Sequence, residues 1–289
     1  MEGIVTDVVE APKPDSLDDP EAIREQVLSI VVNLPAMRGI YYQVVRELND
    51  SNGSLDSIAD LVARDPVLTG KVLQLANSAA VGLSRRVQNA KEAVLAVGGE
   101  QVKSIVLFVE AFSICSGIRV KNFSPETLWR HSTRVAKSAR QIMRAQSGSP
   151  SDLDTAFTAG LMHDIGKLLL MRNVPERYLR ALDRAESESA ASMLIAEREE
   201  FGITHADVGA IVLGSWSIPD EIVQAVRSHH DPTRLSRDSF GPSDAVAVAN
   251  WMAQGQKPWS QEARSEDPMT TRILELWSED QLEVWCPTR

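Results

Sequence analysis

The stretch AFTAGLMHDIGKLLLM, residues 156–171, places a histidine–aspartate pair and a lysine inside an otherwise apolar run. Such a run belongs in a core, where each unpaired polar group costs about 1–3 kcal/mol. His163 and Asp164 therefore need partners, and a metal ion is the natural candidate. His163 and Lys167 are four residues apart and are expected to share one helix face. Asp164 is offset by about 100° and could bridge two ions with its two oxygens.

The rest of the chain continues this helical pattern. From Glu21 onward apolar residues recur at helical spacing, and the alternation typical of strands is scarce. Capping residues followed by proline mark helix starts at Asp65-Pro66 and Ser124-Pro125, and Gly98-Gly99 is typical of a helix stop. Residues 100–117 are apolar almost all round, which predicts a helix buried between two layers. The sequence thus predicts an all-α fold.

Shifts in composition divide the chain into four parts. Residues 1–19 mix proline, aspartate and glycine, which predicts a flexible leader. We expect an N-terminal helical lobe over residues 20–120, a second helical lobe over residues 121–255 and a C-terminal helical tail over residues 256–289. The amphipathic stretch at the end of the tail is expected to pack on the chain's own core. A homodimer contact is the alternative for that stretch.

All five histidines lie in the C-terminal half of the chain. Imidazole nitrogens together with a carboxylate suit Fe, Mn, Co, Ni or Zn better than Ca or Mg. The predicted cofactor is therefore a divalent transition-metal ion, or two such ions about 3.5–4 Å apart that would polarise a phosphoryl group and generate a hydroxide nucleophile. Taken singly, each histidine could instead be a hydrogen-bonded core residue, a helix cap or a surface residue. The five are His131, His163, His205, His229 and His230.

Two of these histidines are neighbours near a predicted helix end. His229 and His230 could both reach one ion only if the last helical turn opens. The Asp231-Pro232 pair that follows favours such an opening, because the residue before a proline is disfavoured in the helical conformation.

Composition excludes several classes of protein. The chain has 30 Lys and Arg against 40 Asp and Glu, a formal net charge of −10, so it is not expected to bind nucleic acid through bulk charge. Residues 104–115, the longest apolar run, contain Glu110 and are too short to span a membrane. Cys115 and Cys286 offer neither a disulfide framework nor a thiolate metal site. No secretion signal is recognisable at the N-terminus, so a cytoplasmic protein is expected.

The order and spacing of these motifs resemble a known superfamily. LMHDIGK at residues 161–167, HSTRVA at 131–136, HADVG at 205–209 and the segment from WSIP to His-His at 216–230 are similar to HD metal-dependent phosphohydrolases, in particular the HD-GYP and HDOD branches. Further upstream, Leu34-Pro35 and DPVLTGKVLQLANSA at 65–79 resemble the HDOD signature. The resemblance covers roughly residues 25–255. It implies a multi-helical HD-superfamily bundle with an additional N-terminal helical lobe.

The resemblance also implies roles for individual residues. Asp164 and Lys167 would be the catalytic candidates, with Lys167 contacting a substrate phosphate. Asn250 stands where HD proteins carry a final aspartate ligand, so one metal position would be weakened; Asp244, six residues earlier, is expected to face another way. The implied metal ligands are His131, His163, Asp164, His205, His229, His230 and, as a weak ligand, Asn250.

Two functions remain open on this reading. The first is a regulatory HDOD protein of bacterial signal transduction that contacts a signalling partner or senses a nucleotide or phosphate ligand. The second is a metal-dependent phosphohydrolase, a phosphodiesterase acting on a nucleotide. Asn250 and the lack of a Gly-Tyr-Pro motif after His230 favour the first, whereas the retained histidines and Lys167 favour the second.

Overall fold

The computed structural model of the protein describes residues 39–78, 81, 83–114, 124–187, 192–236, 238–254 and 267–285, together with residues 24, 25, 28 and 29. These ranges are helices joined by turns and contain no strand, which confirms the predicted all-α fold. The helices are α1 Gly39–Asn49, α2 Leu55–Ala63, α3 Pro66–Ala76, α4 Ala90–Val97, α5 Gly99–Ile114, α6 Pro125–Ala145, α7 Pro150–Met162, α8 Ile165–Asn173, α9 Pro175–Ser187, α10 Ser192–Phe201, α11 His205–Ser215, α12 Asp220–Ser228, α13 Pro242–Ala253, α14 Pro268–Leu276 and α15 Glu279–Trp285, with a 3₁₀ turn at Pro232–Arg234.

Helix α5 connects the first helices to the rest of the molecule. It contacts α1, α3 and α4, and it also contacts α7. Ile105, Leu107 and Phe108 on this helix are buried, as its all-round apolar pattern predicts. Gly98 ends α4 with φ of 91°, a left-handed conformation that favours glycine, so the predicted helix stop is confirmed. Residues 115–117 of the predicted helix lie outside the described residues.

The helices that carry the histidines form a bundle. Helix α6 contacts α7 and α13, α7 also contacts α12 and α13, and α11 packs on both α8 and α12. His131 lies on α6, the His163–Asp164 pair lies between α7 and α8, and His205 is the first residue of α11. His229 and His230 follow the end of α12, and Asn250 lies on α13. The bundle thus brings five separate segments of the chain to one place.

The C-terminal helices pack on this bundle. Helix α15 contacts α6, and α14 contacts α13 and the 3₁₀ turn. Ile273, Trp277, Leu282 and Trp285 are all buried, and both tryptophan rings lie against Phe240, with ring centroids 5.6 and 5.5 Å from that of Phe240. The apolar face of this stretch is covered by the chain's own core, as expected. The predicted leader at residues 1–19 and residues 255–266 lie outside the described residues.

One local prediction is wrong. Residues 163–167 do not lie in a single helix, because α7 ends at Met162 and α8 begins at Ile165. The chain turns here so that α8 can approach the start of α11: a Cβ atom on Gly166 would overlap the backbone carbonyl of His205. Glycine at 166 permits this close approach, and the break between α7 and α8 sets the His163–Asp164 pair between two helices.

No described helix is long and apolar enough to cross a membrane.

Candidate metal centre

The carboxylate of Asp164 lies at the centre of the histidine cluster. Its residue is 2% exposed, and its two oxygens face different neighbours. Oδ1 is 3.4 Å from His205 Nε2 and 3.6 Å from His229 Nε2. Oδ2 is 3.3 Å from His163 Nε2 and 3.6 Å from His131 Nε2.

These contacts divide the cluster into two sides, which share Asp164. The three-histidine side consists of Asp164 Oδ1 with His205, His229 and His230. The asparagine side consists of Asp164 Oδ2 with His131, His163 and Asn250. In each side the carboxylate and imidazole atoms lie within 4.8 Å of one another, a spacing that a single ion could span.

Hydrogen bonds at the outer nitrogens set the orientation of three rings. His163 Nδ1 lies 2.8 Å from the Gly160 carbonyl oxygen, and His229 Nδ1 lies 2.6 Å from the Val226 carbonyl oxygen. Carbonyl oxygens only accept hydrogen bonds, so both Nδ1 atoms must donate, and in the neutral rings Nε2 keeps its lone pair. His205 Nδ1 makes the equivalent bond, 2.7 Å long, to a carboxylate oxygen of Glu197.

The Nε2 atoms of these rings converge. His205 Nε2 and His229 Nε2 are 3.3 Å apart, and His163 Nε2 is 3.2 Å from His131 Nε2. Each of these distances permits a hydrogen bond when one ring of the pair carries a hydrogen on Nε2, and both pairs surround the buried carboxylate of Asp164. Orientation of imidazoles through their second nitrogen is a common feature of metal sites in proteins.

The three-histidine side has buried polar atoms without hydrogen-bond partners. Asp164 Oδ1 and His230 Nε2 are both buried and make no hydrogen bond. Leaving such atoms unpaired costs free energy, and a metal ion would satisfy both of them. The donor set of one carboxylate and three imidazoles is one that transition metals prefer. The residues of this side therefore fit an ion.

The asparagine side satisfies its own polar atoms. His131 Nε2 is 3.1 Å from Asn250 Oδ1, an acceptor, so this bond requires the ring to donate from Nε2. A ring protonated at Nε2 has no lone pair there for a metal. His163 Nε2 can accept from the same hydrogen, so no atom of this pair of rings needs an ion.

The charges within the cluster shift several pKa values. Burial lowers the pKa of His131 to about 4 and that of His229 to about 3, and it holds the pKa of His230 well below the usual value. Burial acts to raise the pKa of Asp164, but its interactions with His163 and the charge of Lys167 hold it well below the usual value. His131, His229 and His230 are therefore neutral near neutral pH, and Asp164 is ionised. These are the protonation states that metal ligands need.

His205 differs from the other histidines. Burial acts to lower its pKa, but the neighbouring carboxylate of Glu197 raises it above the usual value. His205 is therefore the ring of the three-histidine side that takes up a proton most readily when no ion is bound.

Local structure explains the positions of the ligands. Thr204 and Asp207 form a capping box that starts α11 at His205. Helix α12 ends at Ser228, and His229 and His230 lie in the turn that follows, so the last turn opens as expected. This opening brings both rings to the same side of Asp164.

Two other residues weighed from the sequence have clear contacts. Lys167 Nζ donates to Asp164 Oδ2 over 2.9 Å and is partly exposed. Asp244 accepts hydrogen bonds from the backbone N–H groups of Ser236 and Gly241 at the start of α13, and it takes no part in the cluster.

Sequence reasoning missed Glu197. This residue on α10 is fully buried and binds both the ring and the backbone N–H of His205. The signal was present, because Glu197 falls in helical phase with Met193 and Phe201, which lie four residues to either side on α10 and pack in the core. It was hidden among three glutamates within four residues.

A cavity of about 920 Å³ reaches the cluster from the protein surface. His229, His230 and Asn250 line it on the side of the cluster. Three arginines and three aspartates also line this cavity, so the positive charges are matched by negative ones. The arginines are Arg198, Arg227 and Arg234, and the aspartates are Asp207, Asp231 and Asp267.

Comparisons with known proteins agree with this architecture. The family model for the HDOD domain matches residues 34–232. An uncharacterized protein of Treponema pallidum (strain Nichols) is 23% identical over 260 residues, which cover 89% of this chain and 49% of that protein. The chain thus spans about half the length of the curated relative it matches.

Solved structures share the fold. An HDOD domain protein from Geobacter sulfurreducens is 23% identical with a TM-score of 0.67, covering 91% of both chains. A Shewanella amazonensis SB2B protein with a provisional phosphohydrolase name is 19% identical with a TM-score of 0.68, covering 91% of this chain and 94% of that one. A Marinobacter aquaeolei VT8 protein with a provisional signal-transduction name is 20% identical with a TM-score of 0.61, covering 93% of this chain and 63% of that one.

Proposed function

Because the chain belongs to the HDOD family, we propose that it is a regulatory protein of signal transduction whose histidine cluster holds a divalent transition-metal ion. The ion binds on the three-histidine side, to Asp164, His205, His229 and His230. The adjoining cavity admits an anionic ligand of the phosphate or nucleotide class, and its occupancy changes how the protein contacts a signalling partner.

Two buried polar atoms without hydrogen-bond partners, Asp164 Oδ1 and His230 Nε2, carry the metal part of this proposal. They belong to the side on which His205 Nε2 and His229 Nε2 lie 3.4 and 3.6 Å from Asp164 Oδ1. A core histidine without a metal function normally has both polar nitrogens hydrogen-bonded or exposed. The cluster therefore supports a metal site better than a set of structural histidines.

Asn250 supports a regulatory role over catalysis. Its neutral amide stands where the resemblance implies a carboxylate ligand, and its contact with His131 satisfies the asparagine side without an ion. Catalysis by a pair of ions, which clamps both the attacking and the leaving oxygen, would then lack one ion. The name of the Marinobacter protein points to the same role.

A metal-dependent phosphohydrolase is the second candidate, favoured by the cavity. His229 and His230 line a space large enough for a nucleotide, beside three arginines. A bound ion would act there as a Lewis acid on a phosphoryl oxygen. In this role Asp164 would hold the ion, while Lys167, partly exposed beside it, would contact a substrate phosphate.

Metal content per chain and hydrolysis together test the proposal. Protein purified without a histidine tag is reconstituted with Mn, Fe, Co or Zn, dialysed and measured by plasma mass spectrometry. About one ion per chain is expected, with no metal-dependent hydrolysis of bis(p-nitrophenyl) phosphate or of a panel of cyclic and linear dinucleotides. No ion after reconstitution would overturn the metal site. Metal-dependent hydrolysis that Asp164→Asn abolishes would establish the second candidate instead.

A further inference from the structure

Glu197 is a buried carboxylate with a single basic partner. It is fully buried on α10, and Oε2 accepts the backbone N–H of His205 over 2.9 Å. Its two oxygens also lie 2.9 and 2.7 Å from His205 Nδ1. Within the described ranges, no lysine or arginine forms an ion pair with it.

This arrangement links Glu197 to the three-histidine side. Removing a carboxylate from water is costly unless its charge is balanced. The balance here must come through the imidazole of His205, whose Nε2 lies 3.4 Å from Asp164 Oδ1 and 3.3 Å from His229 Nε2. A cation on the far side of that ring would therefore be stabilised by Glu197.

We propose that Glu197 is the positioning residue of this site: it fixes His205 with its hydrogen on Nδ1, aims Nε2 at the ion and strengthens Nε2 as a donor. Outer carboxylates act in this way on ligating histidines in other metal sites. The role rests on the proposed function, because it requires an ion on the three-histidine side.

Glutamine is an informative replacement at this position. Glu197→Gln keeps the volume, and its carbonyl oxygen can take the place of Oε2, which accepts from both the backbone N–H and Nδ1 of His205. Its amide nitrogen would then stand where Oε1 lies 2.9 Å from Nδ1, and an amide nitrogen only donates. The substitution thus removes the charge and sets a donor against the Nδ1 hydrogen of His205.

Glu200 provides a matched control on the same helix. It is 8% exposed, and its carboxylate pairs with Arg180 and Arg184 and with none of the histidines. Glu200→Gln removes a buried carboxylate from α10 without touching the cluster. A loss seen with both variants would reflect damage to the helix.

Cobalt titration of the full chain tests the proposal. Co²⁺ binding is followed by its visible absorption, and the dissociation constant is obtained by competition with a chelator. Glu197→Gln should bind Co²⁺ about 10- to 100-fold more weakly than the parent protein, with a shifted absorption band, while Glu200→Gln stays within about twofold. Nitrogen-15 spectra of the histidine rings should show the His205 Nδ1 hydrogen in the parent protein and its loss or weakening in Glu197→Gln.

The outcomes separate this inference from the proposed function. A parent protein that binds no metal overturns both. A parent protein that binds Co²⁺, with an unchanged dissociation constant and absorption band in Glu197→Gln, overturns the role of Glu197 alone. If Glu197→Gln does not fold by circular dichroism, Glu197→Asp replaces it: the charge is kept but the shorter side chain cannot make both contacts. Glu197→Asp should then bind Co²⁺ more weakly than the parent protein, but by less than the loss expected for Glu197→Gln. A Co²⁺ affinity equal to that of the parent protein would overturn the inference.

Discussion

The two sides of the histidine cluster use similar residues but differ in their hydrogen bonding. On the asparagine side, Asn250 accepts from His131, and His163 can accept the same hydrogen. On the three-histidine side, Asp164 Oδ1 and His230 Nε2 are buried without partners. Histidine content alone therefore does not identify a metal position. The second neighbour of each ring decides whether its Nε2 lone pair is available.

The largest effect should come from the one residue that both sides share. Among the described residues, Asp164 is the carboxylate that faces both sets of rings, so Asp164→Asn should lower metal affinity by more than about 100-fold. Plasma mass spectrometry after dialysis measures this loss. The control is Asp244→Asn, which alters a buried carboxylate bound only to backbone N–H groups. An ion retained by Asp164→Asn would mean that the cluster does not bind metal through this carboxylate.

Removing one histidine from each side in turn should show which side of the cluster binds the ion. His230→Ala takes a ligand with an unpaired Nε2 from the three-histidine side, and a loss of about 100-fold in metal affinity is expected. His131→Ala takes a ring that already donates to Asn250, so about one ion per chain should remain. Metal content and competition titrations of both variants make the comparison. The reverse pattern would place the ion on the asparagine side.

Asn250→Asp should allow the asparagine side to bind an ion as the three-histidine side does. The new carboxylate would favour a cation beside His131 and His163, and one carboxylate oxygen would replace the amide oxygen 3.1 Å from His131 Nε2. Metal content should rise from about one to about two ions per chain, with the second ion bound roughly tenfold or more tightly than in the parent protein. Asn250→Ala, which adds no charge, is the control and should keep one ion. No gain in the aspartate variant would mean that this position is not a ligand position.

The sequence predicts much of this arrangement because its signals are local. Helical spacing, capping residues and glycine stops set the elements, and Thr204 caps α11 together with Asp207, three residues away. The end of α12 before His229 follows from the proline at 232. Each of these features depends on residues within one or two turns of the chain.

What the sequence does not predict depends on contacts between distant segments. Just after the turn at His163–Asp164, Gly166 packs against the backbone of His205, about 40 residues away along the chain. Glu197 is distinguished from Glu199 only by the helix face it occupies: Glu199 pairs with Arg184 at the surface. Their roles become visible only once α8, α10 and α11 are packed together.

The smallest expected effect is the pH dependence of metal binding on the three-histidine side. Burial keeps the pKa of His229 at about 3 and that of His230 well below 6.5, so neither ring binds a proton between about pH 5.5 and 6.5. Burial opposes protonation of His205 too, but Glu197 raises its pKa above 6.5, so this ring is protonated in that range and the ion must displace one proton. Metal affinity should therefore fall by about tenfold from pH 6.5 to 5.5. Isothermal titration in buffers of different ionisation enthalpy should show about one proton released per ion. Release of about three protons would mean that all three rings are protonated in the metal-free protein. The expected difference in pKa between His205 and the other two histidines would then be wrong.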